Sequence, residues 1–103
     1  MVKKKIAIIQ ARTKSVRLPN KIFYNINGMP LIEILYKRLQ RSRELDTVVI
    51  ATTKSSGNLI NFLKKKKIKY FIGSENNVLN RYYRTAKKFN ADIIVRITAD
   101  GIL

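Results

Sequence analysis

A chain of 103 residues with 22 Lys and Arg against 6 Asp and Glu carries a formal net charge of +16, a field that draws anions such as nucleotides, phosphates or nucleic acid. It has no Cys and no His, which removes disulfides, thiolate catalysis, Cys-type zinc sites and the imidazole-based nucleophile systems. Any chemistry must use carboxylate, Lys, Arg, hydroxyl or a bound metal. This length supports one core, no apolar run approaches the roughly 20 residues that cross a bilayer, and the lysine-rich start leads into an apolar run too short for a signal peptide. A single cytoplasmic domain over 1–103, with no membrane partner, is expected.

The first predicted element is the strand "IAIIQA" from Ile6. It runs straight into "ARTKSVRLPNK", Ala11 to Lys21. That segment has neither the GxxxxGK[ST] pattern of a P-loop nor the GxGxxG of a dinucleotide fold, so side chains rather than bare backbone would meet an anion. Arg12 and Arg17 offer planar forks that grip phosphate oxygens, Lys21 a compact charge, and Ser15 a further hydrogen bond. Pro19 limits the freedom that the segment would lose on binding. A polyphosphate fits this pattern, and so does a surface loop with incidental charge.

Pro30 opens a predicted amphipathic helix with Leu31, Ile32, Ile34, Leu35 and Leu39 on one side and Lys37, Arg38 and Arg41 on the other. A second strand, "TVVIATT" from Thr47, leads to a helix over 58–67 that ends in four lysines, where positive charge complements the carbonyl end of the helix dipole. A third strand, "IKYFIG" from Ile68, precedes a helix capped by Asn77, with Val78, Leu79, Tyr82, Tyr83, Ala86 and Phe89 at core-like spacing. The fourth strand is "DIIVRIT" from Asp92. The first, second and fourth strands are nearly continuous in apolar character, as strands buried on both faces are.

Alternating strands and helices predict right-handed βαβ units around a parallel sheet, an α/β fold. Ligands in such sheets sit at the carboxyl ends of the strands, which singles out the residues after Ala11, Thr53, Gly73 and Thr98. Asp100 is read as the only acidic residue placed after a strand end, with Glu75 a loop residue beside no second carboxylate. Hard cations such as Mg2+ take carboxylate and phosphate oxygens, so Asp100 is the candidate metal ligand; an Asp there also serves as a turn or helix cap.

"IIQARTKSVRLPNK", "GSENNVLNRYYRTAKK" and "ADIIVRITADGIL", three segments in order along the chain, resemble the cytidylyltransferases of the spore-coat polysaccharide type, relatives of the acylneuraminate and 3-deoxy-octulosonate cytidylyltransferases. The resemblance implies a Rossmann-like three-layer αβα fold of the nucleotide-diphospho-sugar transferase type, of which this chain resembles the N-terminal half. It implies a transferase that uses CTP and Mg2+ to make a CMP-activated acidic sugar. On that resemblance Ala11 and Arg12 approach the nucleotide, and Arg12, Ser15, Arg17 and Lys21 hold the triphosphate. Asp100 coordinates Mg2+, and Arg12, Lys21 and Asp100 form the catalytic set. Gly73, Ser74, Glu75 and Arg81 line the substrate pocket. Lys14 and Asn20 stand where the family usually has Gly, and Gly101-Ile102 where it has Cys-Pro. CTP and an acidic sugar are the expected partners, with a homodimer one compatible assembly. Two alternatives remain at this level: a non-catalytic nucleotide-binding remnant that stands alone or pairs with another chain, and a basic nucleic-acid-binding module. No specific nucleic acid is expected, because no reader motif is present and the tyrosines fall at helix-core spacing.

Overall fold

The computed structural model describes residues 3–12, 25–26 and 28–98. The elements are β1 (Lys5–Gln10), β2 (Asn25–Ile26), β3 (Met29–Pro30), α1 (Leu31–Gln40), β4 (Thr47–Thr53), α2 (Gly57–Lys66), β5 (Tyr70–Gly73), α3 (Val78–Lys88) and β6 (Ile93–Thr98). The four longer strands form one parallel sheet in the order β5-β4-β1-β6. The three helices and four strands therefore lie where apolar periodicity and β-branched runs place them.

β1 and β4 occupy the middle of the sheet because their side chains are apolar on both faces. Ala7, Ile9 and Ala11 pack with Ile32 and Leu35 of α1, Leu59 and Leu63 of α2, and Ile68. On the opposite face Ile6, Ile8, Val49 and Ala51 pack with Tyr82 and Ala86 of α3. Two helices on one face and one on the other make the three-layer αβα arrangement. Ile6, Ile8, Ile9, Val49 and Ile50 are fully buried, and each such side chain contributes about 1.5–3 kcal/mol of transfer free energy.

The amino end of the sheet is pinned by two aspartates that follow one pattern. Asp46 accepts the Lys5 N–H at 2.7 Å and returns its own N–H to the Lys5 carbonyl at 2.8 Å. Asp92 does the same with the N–H and carbonyl of Lys4, at 2.7 and 2.8 Å. The start of β1 is thus fixed between the starts of β4 and β6. This sets the register that pairs Ile6 with Thr47 on one side and with Ile94 on the other.

Three expectations need correction. Pro30 is extended, with ψ 146°, and caps α1 from outside, because it closes an antiparallel β2-β3 hairpin in which Gly28 turns the chain at φ +84°. The Asn27-Gly28 dipeptide is the sequence signal for that turn. β6 is not buried on both faces: it is an edge strand, and Ile93, Ile94 and Val95 are all partly exposed. α3 turns Arg81, Tyr82, Thr85 and Ala86 inward and leaves Val78, Leu79 and Tyr83 exposed, so only part of its apolar set is core.

Lys67 ends α2 in the left-handed region at φ +58°, where a side chain costs roughly 1–2 kcal/mol and glycine is usual. The Ile68 N–H closes that cap on the Leu63 carbonyl at 3.0 Å. Lys67→Gly should therefore stabilise the chain by about 0.5–1 kcal/mol once the added freedom of the unfolded state is subtracted. A urea unfolding midpoint checks this, and a lower midpoint contradicts it.

Candidate nucleotide site at the carboxyl edge of the sheet

The chain winds outward from β1 to β4 and β5, with α1 and α2 on one face. It then returns by α3 across the other face to place β6 on the far side of β1. Strand order therefore reverses between β1 and β6, and ligands in open α/β sheets bind outside the carboxyl ends of the strands at such a reversal. Gln10 is level with Thr98 across this pair. The chain leaves β1 through Ala11 and Arg12.

Ala11 is core: it is 2% exposed, and its N–H is bonded to the Ala51 carbonyl at 3.0 Å. It acts as a strut that launches Arg12 from a fixed point. Arg12 is exposed, and its Nη1 donates to the Glu75 carbonyl at 3.5 Å. Sixty-three residues of sequence separate the two, and the parallel sheet brings the ends of β1 and β5 to one edge.

Around Glu75 the chain forms a clamp. Arg81, in the first turns of α3, is 0% exposed. Its Nε and Nη2 both donate to the Ser74 carbonyl, at 2.9 and 2.7 Å, and Nη2 also reaches the Glu75 carbonyl at 3.1 Å. Gly73 makes this approach feasible, since a Cβ there would stand 2.7 Å from Arg81 Cγ and 3.3 Å from Arg81 Cα. The Glu75 carboxylate turns the other way: Oε1 accepts the Ser55 N–H at 2.8 Å and Oε2 the Ser55 hydroxyl at 2.9 Å. Ser74 Oγ accepts the Asn77 N–H at 3.1 Å, and Asn77 Oδ1 caps α3 by accepting from Asn80 N at 2.9 Å. Residue 75 thereby ties together the exits of β1, β4 and β5.

The electrostatics of this cluster are positive. Burial first, and the Arg12 guanidinium second, lower the Arg81 pKa from the usual arginine range, while Glu75 and Tyr82 pull it back up. The group stays cationic, because a guanidinium does not deprotonate in proteins. Arg81 Nη1 is buried with no hydrogen-bond partner. Its charge is met by the Ser74 and Glu75 carbonyls and by the nearby Glu75 carboxylate.

Of the residues singled out from sequence, Arg12, Gly73, Ser74, Glu75 and Arg81 come together in this cluster, with Ala11 beneath Arg12. Arg81, expected to help shape the substrate pocket, is buried and supports the 74–75 turn. Glu75 stands two residues beyond β5, so Asp100 is not the only carboxylate after a strand end. Ser15, Arg17, Lys21 and Asp100 lie outside the described residues. Ser55 was missed, and the hydroxyl-rich "TTKSSG" that ends β4 and follows it is the signal that could have found it. Among the described residues there is no group of three or more His, Cys, Asp or Glu for a metal ion. The Glu75 carboxylate is bonded to Ser55 through both oxygens.

Two substitutions test the clamp. Arg81→Met keeps the bulk but strips the Ser74 and Glu75 carbonyls of charge-assisted donors, and should lower stability by about 3 kcal/mol. Gly73→Ala overpacks a pinned side chain and should cost about 1–3 kcal/mol. Denaturant unfolding reads both, and a loss under about 0.5 kcal/mol in either would contradict the clamp, since that is the level of an ordinary surface change.

Comparison with known proteins places this geometry. The uncharacterized protein MJ1063 of Methanocaldococcus jannaschii is 41% identical over 100 residues, a match covering 95% of this chain and 41% of that protein. The spore coat polysaccharide biosynthesis protein SpsF of Bacillus subtilis is 33% identical, with 91% of this chain and 42% of that protein covered. Among solved structures, a cytidylyltransferase from Leptospira borgpetersenii serovar Hardjo-bovis superposes with a TM-score of 0.87 at 36% identity, covering 96% of this chain and 42% of that one. The chain thus spans about two-fifths of the length of these relatives. The profile of the cytidylyltransferase family matches residues 6–103, nearly the whole chain, and the chain belongs to that family.

Proposed function

We propose that this chain is the nucleotide-binding part of a cytidylyltransferase that transfers CMP from CTP to an acidic sugar for surface polysaccharide biosynthesis and releases pyrophosphate. The observation that carries the reading is the meeting of Arg12 and Arg81 at the Glu75 carbonyl, on the sheet edge where β1 ends. Family membership makes CTP the nucleotide to test. The name of the Bacillus relative, a spore coat polysaccharide biosynthesis protein, supports an assignment to polysaccharide synthesis.

In this reading a sugar hydroxyl attacks the α-phosphorus, the bond to the β-phosphate oxygen breaks, and pyrophosphate leaves with the electron pair. The reaction needs alignment and neutralisation of developing charge more than covalent help, which suits a chain without His or Cys. Arg12 grips phosphate from a fixed strut, joined by Ser15, Arg17 and Lys21, and Arg81 holds the turn against which Arg12 is set. Mg2+, held by Asp100, would supply further neutralisation of the phosphates. Gly73 to Glu75 would line the substrate side of the site nearest β5.

Calorimetric titration of the 103-residue chain with CTP and Mg2+, with ATP as the control, should show preferential binding of CTP. Arg12→Ala should weaken it about tenfold or more, the worth of a charge-assisted hydrogen bond. Equal binding of the two nucleotides, or none, would overturn the assignment. The short span relative to the relatives favours a second reading for the chain on its own, in which it binds CTP without turning it over. Pyrophosphate release near background would agree with that, and sustained release would refute it.

A further inference from the structure

Much of the positive charge lies away from the nucleotide edge. α1 and α2 run back against the parallel strands, so both finish at the amino end of the sheet, where Asp46 and Lys69 lead into β4 and β5. α1 and the turn after it carry Lys37, Arg38, Arg41 and Arg43, and α2 closes on the lysines of 64–67, with Lys69 beyond. All nine cations are exposed. The same segments hold three acidic side chains: Glu33 is buried on Lys37 and Lys66, Asp46 accepts the Lys5 N–H, and Glu44 is exposed. Helix dipoles do not account for the excess, since the two carboxyl ends together amount to about one elementary charge. Between the helices opens a groove of about 340 Å³ lined by Lys37, Lys66 and Lys67, with Tyr36, Gln40 and Glu33 beside them, room for a single phosphate-bearing headgroup. β6 runs away from this end toward the carboxyl edge, and its open flank is no part of this surface.

We propose that the carboxyl ends of α1 and α2 form a docking surface for an anionic membrane, with the groove between Lys37, Lys66 and Lys67 holding the phosphate of one lipid and the surrounding cations lying against its neighbours. Two observations favour this partner over nucleic acid. Sites for single-stranded nucleic acid pair their cations with aromatic platforms on which bases stack, whereas the exposed large apolar side chains among the described residues all lie outside 31–47 and 57–69. Phe62 is half-buried there, and Lys66 Nζ stands 5.9 Å from its ring centroid. Six of the nine cations are lysines, compact charges without the fork that grips one phosphate in a set direction, which suits an extended field of headgroups. With no apolar side chain to insert, the contact is electrostatic and reversible. It leaves the carboxyl edge of the sheet facing away from the bilayer and open to soluble ligands. The expectation of no membrane partner rested on the lack of a spanning run; contact at a surface needs none, and among the described residues no helix is long and apolar enough to cross a membrane. This docking does not depend on the nucleotide assignment.

The test is sedimentation of the 103-residue chain with vesicles of phosphatidylglycerol and phosphatidylcholine in equal parts, against vesicles of phosphatidylcholine alone. No nucleotide is present, so a failure here and a failure to bind CTP are separate results. The chain should partition onto the anionic vesicles and not the neutral ones, and added salt should release it. Arg38→Glu with Arg41→Glu, and independently Lys65→Glu with Lys67→Glu, should each weaken partitioning about twentyfold or more, at roughly fivefold for every cation lost near an anionic leaflet. Lys54→Glu with Arg84→Glu, at exposed positions off this surface, makes the same change in net charge and should alter partitioning little. Far-UV circular dichroism of each pair should match the parent. Equal losses in all three pairs would reduce the effect to net charge and overturn the proposal, as would partitioning onto neither vesicle or onto both alike. Preference for a single-stranded RNA oligonucleotide in competition with the vesicles would assign the surface to nucleic acid, and release by inorganic phosphate at constant ionic strength would assign the groove to the free anion; either result overturns the membrane assignment.

Discussion

The carboxyl edge of this sheet depends on one buried guanidinium. Arg81 gives three hydrogen bonds to the main-chain carbonyls of residues 74 and 75, and an arginine can do so because its planar fork presents several donors in fixed directions. Lysine would keep the charge and lose the geometry. From that anchor the effects run outward. The Glu75 carbonyl stands where Arg12 reaches it, the Glu75 carboxylate holds Ser55, and the exits of β1, β4 and β5 become one assembly although they are far apart in sequence.

Four of the six acidic residues hold the framework of the described residues together. Asp46 and Asp92 are used at the amino end of the sheet, where they fix the register of β1. Glu33 is buried in α1 between Lys37, at 3.2 Å, and Lys66 of α2, at 3.8 Å, and joins two helices that flank the core. Glu75 serves Ser55. Each of these carboxylates has a structural task.

How much of this was legible in the sequence differs by feature. The four strands and three helices follow from apolar period and β-branched content, and the Asn77 cap was readable because its side chain can accept from the first helical turn. Apolar runs report side-chain character and not position in the sheet, so "IIVRIT" reads as a central strand although β6 is an edge among the described residues, and "VLNRYY" reads as more core than α3 buries. The meeting of Arg12 with the 74–75 turn could be expected only from strand order, because both follow strands of one parallel sheet. That Arg81 would be sealed, with Gly73 making room for it, was not legible: a charged residue in a basic helix looks solvated until the turn that binds it is in place. Ser55 escaped notice for a related reason, since hydroxyl-rich turns are common and its partner lies twenty residues on.

The central claim is that Arg81 acts at a distance, through the turn it holds. Amide hydrogen exchange at Ser55 in Arg81→Met tests this most directly, because Ser55 donates its N–H to Glu75 Oε1 and no hydrogen bond joins it to Arg81 among the described residues. Measured where the β1 amides of the same variant stay protected, the Ser55 amide should lose its protection. A Ser55 amide that exchanges as slowly as in the parent chain would contradict the account.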